Sequence, residues 1–233
     1  MKIAILGYGK MGREIEKLAL EEKYQIVSII DKKKLFGDIK DSEVAINFST
    51  PNSALENIFL ALNNDVPVVC GTTGWLNDFD KVVKHTKEKN TAFLYSSNFS
   101  FGVNLFFKIN HELAKLIKEQ TDYNISIKET HHIEKIDAPS GTAISLAEDI
   151  INNTKYENWS LTSRNEKNIL SVKSERKEKV HGIHQVNYSS ILDDISIRHE
   201  SFSRKSFAKG ALLAALWLKG KKGVFGMNDV LNF

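Results

Sequence analysis

Only one cysteine, Cys70, occurs in 233 residues, so neither an intramolecular disulfide nor a cysteine metal cluster can form. A chain without disulfides suits a reducing compartment, and a cytoplasmic protein is expected. No apolar run approaches the roughly 18 residues of a membrane span, so no membrane association is expected. The apolar start, Met1 to Leu6, is too short for a signal-peptide core and runs straight into glycines. A one-sided charge is missing too: 32 basic and 29 acidic side chains leave a formal +3, with lysines scattered among acids. Nucleic-acid binding needs a concentrated basic patch and is not implied. There is no internal repeat and no low-complexity tract. Hydrophobic residues at 42% and charged residues at 26% describe a globular protein, which excludes collagen, coiled coil and wholesale disorder. The length fits one large domain or two small ones.

Short apolar runs alternate with helical patterns through the first hundred residues. Positions 3–6, 26–30, 44–47, 66–70 and 92–95 have strand length and are rich in Val, Ile and aromatics. Between them, Met11, Ile15 and Leu18 recur at helical spacing, Pro51 suits a first helical turn ahead of Ala54, Leu55, Ile58 and Leu62, and residues 75–89 predict a third helix. Strand–helix alternation with continuous apolar strands implies a parallel sheet covered on both faces. After a loop at 96–101 the pattern changes. Residues 103–119 and 140–151 predict helices, and 124–130 alternates strictly, as a half-exposed strand does. Residues 179–188 and 191–199 predict antiparallel strands turning near Ser189 and Ser190, and 205–219 closes the chain with an apolar helix. The fold class is therefore α/β, a Rossmann-type parallel-sheet domain plus an α+β domain with a mostly antiparallel sheet. The expected boundaries are 1–102, 103–203 and a returning segment, 204–233. An apolar face left open on the second sheet would be covered by another copy of the chain or by helices of the same chain.

Gly7, Tyr8, Gly9, Lys10, Met11 and Gly12 spell G-x-G-x-x-G between a strand and a helix, the context in which the motif binds a dinucleotide. Gly7 permits the tight turn, Gly9 admits the pyrophosphate, and Gly12 lets helix and strand pack closely. The helix start then presents free N–H groups to phosphate. Asp31, nineteen residues after Gly12 at the end of the second strand, is placed to accept from a ribose diol. A glycine-rich structural turn is the alternative. Lys32, Lys33 and Lys34 would neutralise a 2′-phosphate that Asp31 would repel, unless they form only a solvated loop. Two further loops, Phe48-Ser49-Thr50 and Gly71-Thr72-Thr73-Gly74, sit at strand ends, where open parallel sheets bind ligands. Cys70 reads as buried packing.

The stretch from Glu129 to Thr142 puts His131, His132 and Lys135 ahead of Pro139-Ser140-Gly141-Thr142, a helix entry with Ser140 as N-cap. The free amides there, with the Ser140 and Thr142 hydroxyls, make a seat for a carboxylate. Lys135 would neutralise a second carboxylate or donate a proton. Imidazole titrates near neutrality and suits proton delivery. Adjacent histidines face opposite sides of a strand and lack a third close ligand, which argues against zinc although Glu129 or Glu134 could assist; no metal is expected. Together the two regions suggest hydride transfer to an anionic substrate, completed by protonation.

The run H-H-x-x-K-x-D-A-P-S-G-T from His131 to Thr142 resembles the 4-hydroxy-tetrahydrodipicolinate reductase (dihydrodipicolinate reductase) family of diaminopimelate and lysine synthesis. Supporting pieces are Gly71-Thr72-Thr73-Gly74, Ser97-Asn98-Phe99-Ser100, Ser203-Arg204, Phe207 to Ala211, and Met227 to Leu231. The resemblance implies reduction of a cyclic imine dicarboxylate by NADPH or NADH, with His131 as proton donor and Lys135 as its companion. It implies His132, Ser140, Gly141 and Thr142 as substrate contacts. Cofactor contacts are implied at Gly7, Tyr8, Gly9, Lys10, Met11, Gly12, Asp31, Lys32, Gly71, Thr72, Thr73, Ser97, Asn98 and Phe99. It also implies a homotetramer joined through the second sheet. The sixteen residues between Asp31 and Phe48 are fewer than many members have, so a strand and a helix near the adenine side are expected to be missing. Lys10 stands where arginine is common. His181, Gly182, Ile183 and His184 receive no catalytic role.

Another two-domain reductase, a redox sensor without chemistry and a structural oligomer are the competing readings. Semialdehyde chemistry needs an active cysteine, for which Cys70 is poorly placed. A sensor or a structural oligomer would need no histidine–lysine site. With Asp31 and the three lysines pulling in opposite directions, both NADH and NADPH are expected to serve. Their kcat/KM values should differ by less than about a thousandfold, roughly 4 kcal/mol of discrimination, and a larger ratio either way would contradict this reading.

Overall fold

The computed structural model describes residues 1–161 and 168–233. Along the chain these form β1 (Lys2–Leu6), α1 (Lys10–Glu21), β2 (Gln25–Asp31), β3 (Lys34–Phe36), β4 (Val44–Asn47), α2 (Pro51–Asn63), β5 (Val68–Cys70), α3 (Phe79–Glu88), β6 (Ala92–Tyr95) and α4 (Phe101–Ile117). They continue as β7 (Asn124–His131), α5 (Gly141–Asn153), β8 (Asn158–Ser160), β9 (Ile169–Arg176), β10 (Gly182–Ser189), β11 (Asp194–Ser201), α6 (Lys205–Leu218), β12 (Gly223–Phe225) and α7 (Met227–Leu231). Two compact units result: Met1–Phe101 with Arg204–Phe233, and Gly102–Ser203.

The first unit is a doubly covered sheet of strand order β12-β6-β5-β4-β1-β2-β3. All its pairings are parallel except β2 with the edge strand β3. Alternation along β1 shows why the strands are apolar throughout. Ile3 and Ile5 join a core with Ile15 of α1 and Ala208, Ala211 and Ala215 of α6, while Ala4 and Leu6 join another with Ala54, Ile58 and Leu62 of α2. Each fully buried Ile or Leu side chain among these contributes about 1.5–3 kcal/mol. The α6 helix packs so closely that a Cβ on Gly210 would stand 1.7 Å from the Phe99 carbonyl oxygen. Of the strand and helix expected to be missing between β2 and β4, only the helix is: this stretch holds the three-residue antiparallel strand β3 and one 3₁₀ turn, Ile39–Asp41.

The helix expected over 75–89 begins later. Trp75 is buried and its indole donates to the Thr72 carbonyl at 2.7 Å, which holds it out of helical conformation; a 3₁₀ turn, Leu76–Asp78, leads into α3. Thr50 and Ser53 form a capping box at the start of α2, with Pro51 in the first turn as expected.

The second unit is a five-stranded sheet of order β11-β10-β7-β9-β8. Its two longest ladders, β10 with β7 and with β11, are antiparallel, and β9 runs parallel to β7 and to β8. Ile125, Ile127, Leu170, Val172, Val186 and Tyr188 meet Phe106 and Ala114 of α4 and Ala143, Leu146 and Ile150 of α5. The apolar face is thus covered by helices of the same chain, the second of the two arrangements the sequence allowed. The sheet's polar face carries Gln185, Asn187 and Ser196 in mutual hydrogen bonds.

The β10–β11 turn lies further on than expected. Ser190 Oγ accepts from the amides of Leu192 and Asp193, so the apolar pair Ile191 and Leu192 sits exposed in the turn instead of starting a strand.

Candidate functional site

Among the described residues two groups are candidates for chemistry, one in each unit. In the first, Gly7 adopts φ +89°, and a Cβ there would meet the Phe48 carbonyl oxygen at 2.5 Å. A Cβ on Gly12 would stand 2.3 Å from the Gly7 oxygen, whereas one on Gly9 would meet nothing within 4 Å. The open side of the turn is therefore at Gly9, which is also the N-cap of α1 and has no side chain to cap it. A backbone that leaves this space and these amides uncovered fits a pyrophosphate.

A cavity of about 520 Å³ opens there, lined by Gly7, Gly9, Asp31, Lys32, Lys33 and Ser49 among others. Asp31 Oδ2 accepts from Tyr8 N at 2.9 Å and Oδ1 from Lys33 N at 3.0 Å, and these two amides hold its carboxyl below the usual range. It is an ionised acceptor fixed at the lip of the cavity, as a ribose diol requires. The Lys34 ammonium lies 4.0 Å from the Tyr8 ring centroid and Arg13 5.5 Å, and the Tyr8 hydroxyl bonds Glu16.

The other first-unit candidates stand less directly. Lys10 is exposed, and Met11 packs against the core. Thr72 Oγ1 accepts from Ser49 N at 2.9 Å, and a Cβ on Gly71 would press on the Phe48 ring, so this loop buttresses two residues that line the cavity. Thr73 and Ser97 are exposed, Asn98 braces its own turn by accepting from Ser100 N, and the Phe99 ring is buried against Phe48. Burial pushes the Cys70 thiol up to about 12, in keeping with packing.

In the second unit the sheet register builds the site. Glu129 of β7 is the cross-strand partner of His184 on β10 and of Ser174 on β9, and His131 is the partner of Arg176 on β9. The Glu129 carboxylate has no solvent exposure. It accepts from Ser174 Oγ at 2.7 Å and from Ser140 N at 3.1 Å on each oxygen. Arg176 Nη1 lies 3.5 Å away, His131 Nδ1 3.4 Å and His184 Nε2 3.6 Å. Burial pushes this carboxyl up, and the His184, Ser140 and Ser174 hydrogen bonds outweigh it and keep the group ionised.

Ser140 is the N-cap the sequence predicts: its Oγ accepts from Ala143 N at 3.2 Å, and His184 Nε2 lies 3.0 Å from the same oxygen. The amides of Gly141 and Thr142 then have no acceptor among the described residues, and a Cβ on Gly141 would meet nothing within 4 Å. An open helix start with two free donors can take a carboxylate. Lys135 Nζ sits 2.8 Å from both Asp137 oxygens. His131 is buried and His132 half-buried, and the Nδ1 of each is buried without a hydrogen-bond partner.

The sequence groups His131, His132, Lys135 and the Ser140 helix start; in the structure His131 lies near Lys135 and shares Glu129 with the Ser140 amide. It missed Ser174, Arg176 and His184, which lie 45 to 55 residues from Glu129 and join it only through strand register. The Gly182-x-His184 spacing at a strand start was the available signal. Donor atoms of Glu129, which the sequence already offers as an assisting ligand, His131 and His184 fall within 4.8 Å of one another, a group that does not include His132. Both Glu129 oxygens, however, are already hydrogen-bonded, and a guanidinium lies beside them. The hydrogen bonds hold the carboxylate as an anion within the cluster.

Comparison with known proteins gives consistent matches. The family model described as dihydrodipicolinate reductase, N-terminus, matches residues 1–99, and that for the C-terminus matches 102–231. The 4-hydroxy-tetrahydrodipicolinate reductase of Christiangramia forsetii is 45% identical over 235 residues, covering 100% of this chain and 98% of that protein. The one from Methanoregula boonei is 36% identical over 198 residues, covering 83% and 76%. Among solved structures, a dipicolinate-bound dihydrodipicolinate reductase from Paenisporosarcina sp. TG-14 superposes with a TM-score of 0.81 at 22% identity, covering 98% of each chain, and shares the fold.

The cluster has a consequence for stability. Burial, then the neighbouring His184, draws His131 down to about 4 from an ordinary 6.5 in spite of Glu129. A histidine held neutral adds stability that is complete above its unfolded pKa and is lost as pH falls toward its folded one. The depressed Glu129 carboxyl acts with the same sign below its own unfolded value. The urea-unfolding free energy should therefore fall from about pH 6.5 to 4, and His131→Asn should flatten that slope. A wild-type stability that is level or rising on acidification across this window would contradict the assignment.

Proposed function

Because the chain belongs to the dihydrodipicolinate reductase family, we propose that it converts 4-hydroxy-tetrahydrodipicolinate to tetrahydrodipicolinate with NADPH or NADH, in diaminopimelate and lysine synthesis: the 4-hydroxyl leaves as water, and the conjugated imine so formed takes up one hydride and one proton. The observation that carries this reading is the uncovered start of α5 beside His131, His132 and Lys135, in a chain that matches the family along its length. A relative in that family has been solved with dipicolinate, a planar dicarboxylate. Two free amides and a lysine are the complement of two carboxylates.

The first unit is the cofactor domain. Gly9 and the start of α1 hold the pyrophosphate, and Asp31 accepts from the ribose. Gly7, Tyr8, Lys10, Met11, Gly12 and Lys32 complete that turn and its rim, and the loops at Gly71, Thr72 and Thr73 and at Ser97, Asn98 and Phe99 support it. When bound, the nicotinamide supplies the hydride.

The second unit binds substrate. The Gly141 and Thr142 amides, with the Thr142 hydroxyl and the Ser140 cap behind them, take one carboxylate. Lys135 exchanges its exposed partner Asp137 for the other, and His132 orients it. Charge that develops on the ring during reduction is stabilised by the ammonium and the helix start, where surrounding side chains thin the water. His131 delivers the proton that the enamine-like carbon takes up. Two carboxylates entering beside His131 favour its charged form, which the ligand-free surroundings disfavour. The same reading makes the protein a cytoplasmic homotetramer joined through the polar face of the second sheet, whose apolar face is already covered.

Replacing His131 by Ala should lower kcat by about 10²–10⁴-fold, the usual worth of general acid catalysis, with little change in cofactor affinity. The check is NADPH absorbance with synthase-generated substrate, alongside cofactor titration. Retention of more than about a tenth of kcat, with chemistry rate-limiting, would remove His131 from the role.

A further inference from the structure

Glu129 enters none of these steps, yet it touches more of the site than any other side chain. It precedes His131 by two residues, so both project from the same face of β7. Its Oε2 lies 3.4 Å from His131 Nδ1, and the same carboxylate receives the Ser140 amide, immediately before the two amides that form the carboxylate seat.

We propose that Glu129 is the positioning residue of the reductase: its buried carboxylate faces His131 Nδ1, fixes that nitrogen as the protonated one, and thereby leaves Nε2 to carry and release the catalytic proton. The proposal rests on the reading of His131 as proton donor and deepens it.

Three observations support it. An ionised carboxylate repels a ring lone pair, so the nitrogen facing it bears hydrogen in both the neutral and the charged ring. The 3.4 Å contact is not aligned as a hydrogen bond in the ligand-free protein, and catalytic contacts are commonly long or poorly aligned before ligand tightens them. On the far side of the ring, a Cβ on Gly182 would stand 3.2 Å from His131 Nε2, so the glycine leaves that nitrogen unobstructed.

The charges facing His131 come from each element packed around it: Glu129 on its own strand, Lys135 from the following loop, Arg176 from β9 and His184 from β10. Glu129 is the anion among these charges of the described residues. Removing its charge takes away the protein's own countercharge at Nδ1 and leaves only the substrate carboxylates to favour the imidazolium, so the acid becomes harder to load. A residue that merely held the fold together would lower activity without moving the pH dependence.

The experiment follows kcat against pH for wild type, Glu129→Gln and Glu129→Asp at saturating substrate, with cofactor affinity measured separately. The glutamine variant should lose about tenfold or more in kcat, and its proton-donor limb should move down by about one pH unit or more, the effect expected of losing one nearby countercharge. Cofactor affinity should stay within about twofold, and the aspartate variant should recover part of the limb. A glutamine variant with the wild-type limb overturns the proposal, whatever its kcat.

The second measurement needs no variant: ¹⁵N NMR of the wild-type imidazoles should show His131 protonated on Nδ1. A proton on Nε2 in the neutral ring overturns the assignment even if the glutamine variant fails to fold. Should wild type fail to reduce the substrate, the functional reading falls, and the imidazole spectrum still decides the role of Glu129.

Discussion

A carboxylate sealed from solvent is the constraint on which the second unit depends. Glu129 has no water to share its charge, so it must be protonated or fully hydrogen-bonded. The chain meets this need with a serine amide at the start of α5, a serine hydroxyl and a guanidinium from β9, and an imidazole from β10. Taking one partner from such a cluster typically costs about 3–5 kcal/mol, because the remaining charge is left buried. The same contacts that satisfy the charge fix where α5 begins. They therefore also fix where the Gly141 and Thr142 amides point. The proposed carboxylate seat and the satisfaction of a buried charge are one arrangement.

The first unit solves a different problem, with backbone in place of buried charge. Gly7 and Gly12 are glycines because Phe48 and the Gly7 carbonyl crowd them, and Gly9 is a glycine beside open space. That contrast separates packing from binding within a single motif. Asp31 is kept ionised chiefly by two amides, with smaller help from the Lys33 and Arg13 charges, so it remains an acceptor.

Legibility followed the range of the interactions. The glycine turn, the strand alternation and the Ser140 cap are local, and each could be read from neighbours a few residues apart. The partners of Glu129 could not, since register between β7, β9 and β10 sets them and no local pattern states register. Ile191 and Leu192 misled because their apolar character suggested a strand where Ser190 builds a turn. Trp75 shortened a helix through one indole hydrogen bond. The β9 strand alternates Leu170 and Val172 with Ser171 and Lys173, a signal that was present and went unread. The substrate's identity came from resemblance, because two amides and a lysine specify a dicarboxylate and no particular one.

The claim that the buried carboxylate aims the start of α5 at an anionic ligand is tested most directly by a crystal structure of the protein with dipicolinate. One ligand carboxylate should lie within about 3 Å of the Gly141 and Thr142 amides, with Glu129 still on Ser140 N and Lys135 drawn from Asp137 to the ligand. A ligand seated elsewhere, with those amides facing only solvent, would contradict the account.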